Sequence, residues 1–119
     1  MTTQEIATRL AEYCQKGDFE SAQKELFSDD AISIEPFATP EFDKETKGLD
    51  AILEKGKKFE SLVEDYYGNT VSNPLVTHQS IAFVLSMDMK MKGRNRETMS
   101  ELCVYQVKDG KVISEQFFM

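Results

Sequence analysis

A chain of 119 residues is long enough for one domain with a hydrophobic core, spanning residues 1–119, and too short for two. Its formal net charge of −7 argues against nucleic acid as a partner, because binding to phosphate groups requires a basic surface. No apolar stretch approaches the ~20 residues that cross a bilayer, and the N-terminus lacks the charged-then-apolar order of a signal peptide. We therefore expect a cytoplasmic protein with no membrane partner.

The first part of the chain predicts two helices. Thr2 or Thr3 can cap the first helix, and Glu5 completes a capping box with Thr2. Gly17 suits the end of this helix, and Asp18 can cap a short second one. Apolar residues at helical spacing indicate the buried face of the first helix, namely Ile6, Leu10, Tyr13 and Cys14.

A short strand and a loop follow these helices. In the stretch DDAISIEP, residues 29–36, Ile32 and Ile34 alternate with polar residues, which predicts a strand with one apolar face. Pro36 ends the pattern because proline has no N–H for a sheet ladder. Residues 36–47 contain two prolines and no clear period, so we expect a loop there.

The remainder predicts a third helix and then a run of strands. An apolar stripe over residues 49–66 indicates the helix. After Gly68 the hydrophobic period changes to two, which predicts strands at about 69–77, 80–92, 96–108 and 111–119. Helices followed by an antiparallel meander indicate an α+β fold in which the helices cover one face of the sheet.

Cysteine and histidine are too sparse for a metal centre. Cys14 and Cys103 are far apart and form no CxxC pattern, so we expect free, buried thiols. His78 is the single histidine, so the usual zinc constellations cannot be assembled. No loop has the spacing of a calcium or magnesium site. We therefore expect neither a metal nor a cofactor.

The order of several short motifs resembles the NTF2-like superfamily, whose SnoaL-like and ketosteroid isomerase-like members include ketosteroid isomerases and polyketide cyclases. The motifs are GDFE at 17–20, FSDDA at 27–31, IEP at 34–36, KG at 47–48, YQVKDGKV at 105–112 and SEQFF at 114–118. They extend over nearly the whole chain and are specific to the fold rather than to one activity. The resemblance implies a cone made of a strongly curved antiparallel sheet and three helices from the N-terminal half. It also implies an apolar pocket in the cone, and often a homodimer joined through the sheets.

The period of two then predicts which residues face the pocket. On the strands the expected wall consists of Phe83, Leu85, Met87, Met89, Cys103, Tyr105 and Phe117, with Glu115 on the same face. The resemblance adds Leu10 and Tyr13 of the first helix to this wall. Methionine and phenylalanine suit an adaptable site for an apolar ligand. The same pattern also fits side chains that simply fill a core, because a period of two does not distinguish a pocket from a core.

Glu35 and Glu115 are the candidate catalytic residues. In ketosteroid isomerases the general-base aspartate directly precedes the proline that ends this strand, and Glu35 precedes Pro36 in the same way. A carboxylate in an apolar cavity holds its proton more strongly, because burial disfavours the charged form. A base of this kind can move a proton next to a carbonyl group. Glu115 in the same pocket could strengthen the effect or share one proton with Glu35.

The same resemblance argues against a true ketosteroid isomerase. The tyrosine of the isomerase oxyanion hole aligns near Leu10, and its protonated aspartate aligns near Cys103, which is a poor hydrogen-bond donor. Without two good donors an enolate is hardly stabilised. Tyr13 or Tyr105 are the remaining candidates for that role.

Three interpretations of function remain. The favoured one is a domain that binds a small, largely apolar molecule, with Glu35 and Glu115 as polar groups and no assigned turnover. The second is an isomerase, cyclase or lyase that uses Glu35 as general base on a carbonyl-containing substrate. The third is a non-catalytic dimeric interaction module whose cone is packed shut. Fold alone does not choose among them.

Overall fold

Three helices and seven strands make up the computed structural model, which describes all 119 residues. The helices are α1 (Thr3–Lys16), α2 (Phe19–Leu26) and α3 (Leu49–Leu62). The strands are β1 (Phe27–Ile34), β2 (Glu45–Lys47), β3 (Val63–Val71), β4 (Leu75–Val76), β5 (Ser80–Met91), β6 (Glu97–Lys108) and β7 (Lys111–Phe118). None of the three helices is long and apolar enough to cross a membrane.

The first two helices begin and end as the sequence predicts. The Thr2 hydroxyl accepts a hydrogen bond from the backbone N–H of Glu5, and the Glu5 carboxylate accepts one from the N–H of Thr2. Gly17 adopts a left-handed conformation with φ of 73° and ends α1. The Asp18 side chain accepts a hydrogen bond from the N–H of Ser21 and thereby caps α2.

The third helix is shorter than predicted. It ends at Leu62, and the segment from Val63 onward is strand β3, which pairs antiparallel with β5. Val63 and Tyr66 continue the apolar stripe of the helix, so hydrophobic period alone does not show this change. Pairing with β5 satisfies the backbone groups of the segment, and aromatic and β-branched residues suit a strand.

Two other boundaries also differ from the prediction. The strand expected at 69–77 is divided between β3 and the two-residue strand β4, with Pro74 between them. The end of the expected loop at 36–47 forms β2, which pairs with β1. A strand of three residues is too short to show an alternation of apolar and polar side chains, so the sequence did not predict β2. The strand forms here because β1 offers a free edge.

The sheet has the order β2-β1-β7-β6-β5-β3, and β4 pairs with β5. Every neighbouring pair is antiparallel except β1 and β7, which are parallel. The sheet is therefore mixed, whereas an antiparallel one was predicted. A parallel pair needs a long crossover connection, which α3 and the intervening strands provide here. The curved sheet and the three helices together form the predicted α+β cone.

The core lies between the helices and the inner face of the sheet. On β5 buried and more exposed residues alternate, with Phe83, Leu85 and Met89 at most 3% exposed. Ile6 and Ile52 bring α1 and α3 onto this face and are completely buried. Burying a side chain of this size stabilises the fold by about 1.5–3 kcal/mol. The outer face of the sheet is open to solvent.

Candidate functional site

A continuous chain of hydrogen bonds lies where β1, β7 and α3 meet. The Lys55 ammonium donates to Glu35 Oε1 at 2.9 Å and to Ser33 Oγ at 2.5 Å. The Ser33 hydroxyl donates in turn to Glu115 Oε1 at 2.7 Å. Glu35 and Glu115, which sequence reasoning selected independently, are thus connected through two side chains that it did not select.

Strand register places these groups on the inner side of the cone. Ser33 of β1 pairs directly with Glu115 of the parallel strand β7. Both are buried, at 0% and 4% exposed, and Glu35 follows Ser33 by two residues on the same face. This reverses the prediction for β1, because the fully buried residue is Ser33 while Ile32 and Ile34 are only partly buried.

Helix α3 supplies the cation. Lys55 lies three residues after the fully buried Ile52, so the two share a helix face and the anchoring of Ile52 directs Lys55 toward β1. The Lys55 side chain is 14% exposed and that of Glu35 is 26% exposed. The sequence contained a signal for this role, since Lys55 falls between Ile52 and Phe59 along the apolar stripe.

Glu101 is a third carboxyl group on the inner side, and sequence reasoning did not select it. It lies opposite Leu85 in the ladder of β5 and β6, and two residues before the buried Cys103. The Glu101 carboxyl group has no hydrogen-bond partner among the side-chain hydrogen bonds of the structure, whereas Glu35 and Glu115 each have one. The period-two pattern that selected Cys103 and Tyr105 contains Glu101 too.

Two of these carboxyl groups titrate near neutral pH. Burial, together with the neighbouring carboxylates of Glu35 and Glu115, raises the pKa of Glu101 to about 7, and the Lys55 ammonium opposes this rise. Burial also raises the pKa of Glu115 to about 6, against the opposing effects of the Lys55 ammonium and the Ser33 hydrogen bond. These are values suited to proton transfer or to a ligand contact that depends on charge.

Most of the predicted pocket wall is closely packed. Seven of its residues are at most 6% exposed and belong to one hydrophobic core, namely Leu10, Phe83, Leu85, Met87, Met89, Cys103 and Tyr105. Tyr13 and Phe117 are partly buried against that core. We use the term mouth for the partly exposed end of this wall, formed by Glu35, Lys55, Met99, Glu101 and Phe117. Lys55 Nζ lies 5.8 Å from the centre of the Phe117 ring there.

Two surface depressions lie away from this cluster. One, of about 460 Å³, is lined by the N-terminus, His78 and the turn between β6 and β7. The other, of about 290 Å³, lies between α1 and the segment from Val71 to Pro74. Neither contains a predicted site residue or a buried charged group. The chemistry of the mouth, and not the size of these depressions, therefore identifies the candidate site.

A family model for the SnoaL-like domain matches residues 1–119. The chain belongs to the SnoaL-like domain family. It is similar in structure to a provisionally named SnoaL-like polyketide cyclase of Mesorhizobium loti, with 29% identity, a TM-score of 0.91 and full coverage of both chains. The name of that protein also includes the words carbohydrate phosphatase. A comparison with curated proteins gave no match.

More distant structures share the fold of this SnoaL-like domain. A Xanthomonas campestris protein of unknown function with a cystatin-like fold has 17% identity and a TM-score of 0.82, with 99% and 90% of the two chains covered. A ketosteroid isomerase-like protein of Catenulispora acidiphila, in complex with trimethylamine, has 14% identity and a TM-score of 0.75, with 99% and 87% covered. At such identities the likeness establishes the fold alone.

The two tyrosines considered for an oxyanion hole occupy different environments in the SnoaL-like domain. The Tyr13 hydroxyl accepts a hydrogen bond from Arg9 at 3.2 Å on the exposed surface of α1, so Tyr13 contributes no polar group to the mouth. Tyr105 is buried in the core, and its ring lies 5.4 Å from that of Phe83. Burial raises the pKa of Tyr105 well above its ordinary value.

The thiols and carboxylates of the SnoaL-like domain do not form other reactive groups. Burial raises the pKa of Cys14 to about 12 and raises that of Cys103 as well, so both thiols are protonated and unreactive at neutral pH. No three His, Cys, Asp or Glu side chains are arranged to hold a metal ion. The mouth therefore offers acid, base and charge, without thiolate chemistry.

Proposed function

We propose that this SnoaL-like domain binds a small, largely apolar molecule at the mouth of its cone, with Glu35 and Glu115 as polar groups. The observation that supports this most strongly is the hydrogen-bonded chain from Glu35 through Lys55 and Ser33 to Glu115. Charged groups are costly to bury, and a packed apolar interior would be at least as stable without them. Family membership supports the same conclusion, since it fits a small-ligand-binding or cyclase-type and isomerase-type protein.

A methionine-methyl NMR titration tests this proposal. We would add benzylacetone, a neutral apolar ketone, to protein carrying carbon-13 at its methionine methyl groups. Binding at the mouth should shift the signals of Met99 and Met87, which lie opposite each other on β6 and β5. Met1, which is 53% exposed at the far depression, serves as internal control. Shifts at Met1 alone, or no shifts up to the solubility limit, would refute the proposal.

Proton-transfer catalysis is the second candidate function. It is favoured by the pKa of Glu115 at about 6 and of Glu101 at about 7, because a catalytic acid or base works best near the ambient pH. Under this hypothesis Glu35 is the general base that acts on a carbonyl-containing substrate. A Glu35→Gln variant that keeps its affinity for the ligand but loses turnover would support the enzyme. A variant unchanged in both assays would exclude a role for Glu35.

Assembly into a homodimer through the sheet is a further part of the proposal. Val84, Leu102 and Phe118 lie side by side on the outer face and are each at least 41% exposed. Exposed apolar side chains that adjoin one another are typical of a contact surface. Neither nucleic acid nor a membrane is proposed as a partner. A cytoplasmic location fits the two unpaired cysteines, which a reducing compartment keeps as thiols.

A further inference from the structure

Lys55 is a largely buried cation with a fixed position. Its side chain is 14% exposed, whereas that of Lys57 on the same helix is 62% exposed. The Lys55 ammonium donates to Ser33 Oγ at 2.5 Å and to Glu35 Oε1 at 2.9 Å. Ser33 is itself held by its hydrogen bond to Glu115. The nitrogen of Lys55 is therefore placed before any ligand arrives, which lowers the entropic cost of a contact with it.

The third N–H group of Lys55 has no acceptor in the protein. An ammonium group carries three donors, of which Ser33 and Glu35 accept one each, and no other hydrogen bond or salt bridge includes Lys55. Because the ammonium is tetrahedral, the third N–H points away from both acceptors. The centre of the Phe117 ring is 5.8 Å from Nζ, near the outer limit of a cation–π contact, so the ring does not replace an acceptor. This partly exposed, charged donor is therefore available to an acceptor from outside the protein.

We propose that the third N–H of Lys55 binds an uncharged acceptor oxygen of the ligand, such as a carbonyl oxygen. The proposal rests on the proposed function and specifies the polar group of the ligand and the residue that recognises it. A hydrogen bond from a charged donor is about twice as strong as one between neutral groups. Lys55 therefore makes the mouth selective for apolar molecules that carry such an oxygen over plain hydrocarbons.

Phe117 and Met99 provide the apolar part of the same site. Both are partly buried and pack against the hydrophobic core. Since the Phe117 ring lies 5.8 Å from Lys55 Nζ, a small molecule whose oxygen binds Lys55 can place its carbon skeleton against this ring. One well-placed polar group beside apolar side chains is typical of small-molecule sites, in which the polar group fixes the orientation of the ligand.

The charges around Lys55 favour an uncharged oxygen over a carboxylate. Glu35 already opposes the ammonium charge at 2.9 Å, and Ser33 connects Lys55 to a second carboxyl group, that of Glu115. An oxygen that accepts the third N–H lies about 5 Å from Glu35 Oε1, because both oxygens then bind one tetrahedral nitrogen. A carboxylate at that distance is repelled by Glu35, whereas a carbonyl oxygen carries only a partial charge.

The first test compares benzylacetone with butylbenzene, which has the same carbon skeleton without the oxygen. Titrations followed by the Met99 methyl signal give both dissociation constants for the parent protein, for Lys55→Met and for Lys57→Met. Butylbenzene is the more hydrophobic probe, so the quantity to compare between proteins is the ratio of the two affinities. We expect Lys55→Met to lower the preference for the ketone roughly tenfold, because a hydrogen bond to a charged group is lost. Lys57→Met, at an exposed position on the same helix, should leave the ratio unchanged.

A carbon-13 label on the carbonyl carbon of benzylacetone tests the contact in the parent protein itself. The signal of a ketone carbonyl moves upfield when the molecule passes from water into apolar surroundings, and downfield when its oxygen accepts a stronger hydrogen bond. The signal of the bound ketone should therefore lie at or downfield of its position in water. It should move upfield in Lys55→Met and not in Lys57→Met, a difference that a purely structural role of Lys55 would not produce.

The outcomes separate this inference from the proposed function. If benzylacetone shifts the Met99 signal but its carbonyl signal moves upfield in the parent protein, the role of Lys55 is wrong and the proposed apolar site stands. The same holds if Lys55→Met keeps the full preference for the ketone. Tighter binding of hydrocinnamate, a carboxylate of nearly the same shape as benzylacetone, would overturn the assignment of an uncharged oxygen. If neither benzylacetone nor butylbenzene shifts the Met99 signal, the proposed function is wrong and the inference fails with it.

Discussion

Ser33 and Glu115 lie directly opposite each other on two parallel strands and share a 2.7 Å hydrogen bond in the interior of the protein. Because the Ser33 hydroxyl donates to Glu115, its lone pairs remain available to Lys55. One buried serine thus orders a lysine and two glutamates around it. The parallel pairing of β1 with β7 is what brings these distant parts of the chain together.

The stability of the protein should fall as the pH rises from about 5 to about 8. The folded-state pKa values of Glu115, about 6, and Glu101, about 7, lie above their ordinary value of 4.5. The folded state therefore binds more protons than the unfolded state in this window, and raising the pH favours unfolding. Glu115 contributes about 1 kcal/mol of this change between pH 5 and pH 8, because part of its titration in the unfolded state lies below pH 5. Urea unfolding at both pH values measures the change.

Single variants assign this pH dependence to its groups. Glu115→Gln and Glu101→Gln should each flatten the profile, because an amide does not titrate. Four other carboxyl groups have lowered pKa values and titrate below this window, namely Glu5, Glu20, Glu25 and Asp88. A wild-type profile that is flat, or as steep in both variants as in the parent, would contradict the prediction.

Replacing Lys55 with methionine should raise the pKa values of Glu115 and Glu101 above about 6 and about 7. The ammonium of Lys55 favours the ionised form of both groups, so its removal favours the protonated forms. Carbon-13 NMR titration of the glutamate carboxyl signals measures both values. Lys57→Met, which removes an exposed lysine from the same helix, is the matched control. Equal shifts in the two variants would show that the overall charge of the protein, and not the contact with Lys55, sets the pKa values of Glu115 and Glu101.

Val84→Arg should dissociate the proposed dimer. Val84 pairs with Leu102, and Leu102 with Phe118, so an arginine there places a charge in the middle of the exposed apolar strip. Sedimentation velocity compares the mass of the parent and of the variant. Thr8→Arg, at an exposed position on helix α1 away from the outer face of the sheet, should leave the mass unchanged. A parent that is monomeric, or a Val84→Arg dimer as stable as the parent, would reject this face as the interface.

Met89→Ala should destabilise the fold by about 2–5 kcal/mol, because it removes a completely buried side chain and leaves a cavity. Denaturant unfolding at constant pH measures the loss. Met91→Ala, two residues further along the same strand and only partly buried, should cost clearly less. Similar losses at the two positions would mean that the centre of the cone is not tightly packed and that space for a ligand extends to Met89.

Local patterns predicted much of the fold. The capping box at Thr2, the glycine stop at Gly17 and the alternation along β5 act between neighbouring residues, so the sequence displays them directly. The limits of α3 and the existence of β2 were not predictable in this way. Both depend on a partner strand, and backbone pairing outweighs the local preference of residues such as Tyr66.

For the site, the sequence alone determined that Glu115 shares a strand face with Phe117 and that the neighbouring strands carry apolar residues on the matching face, because a strand alternates its side chains in a fixed way. For β1 the same alternation predicted the wrong face, and only the resemblance pointed Glu35 toward the interior. Only the tertiary structure decided that Ser33 is the buried residue of β1, that Lys55 joins the two glutamates, and that Glu101 faces them without a partner. The physical reason is that burial and charge balance arise between elements. They depend on a parallel strand pair and a docked helix that no local pattern encodes.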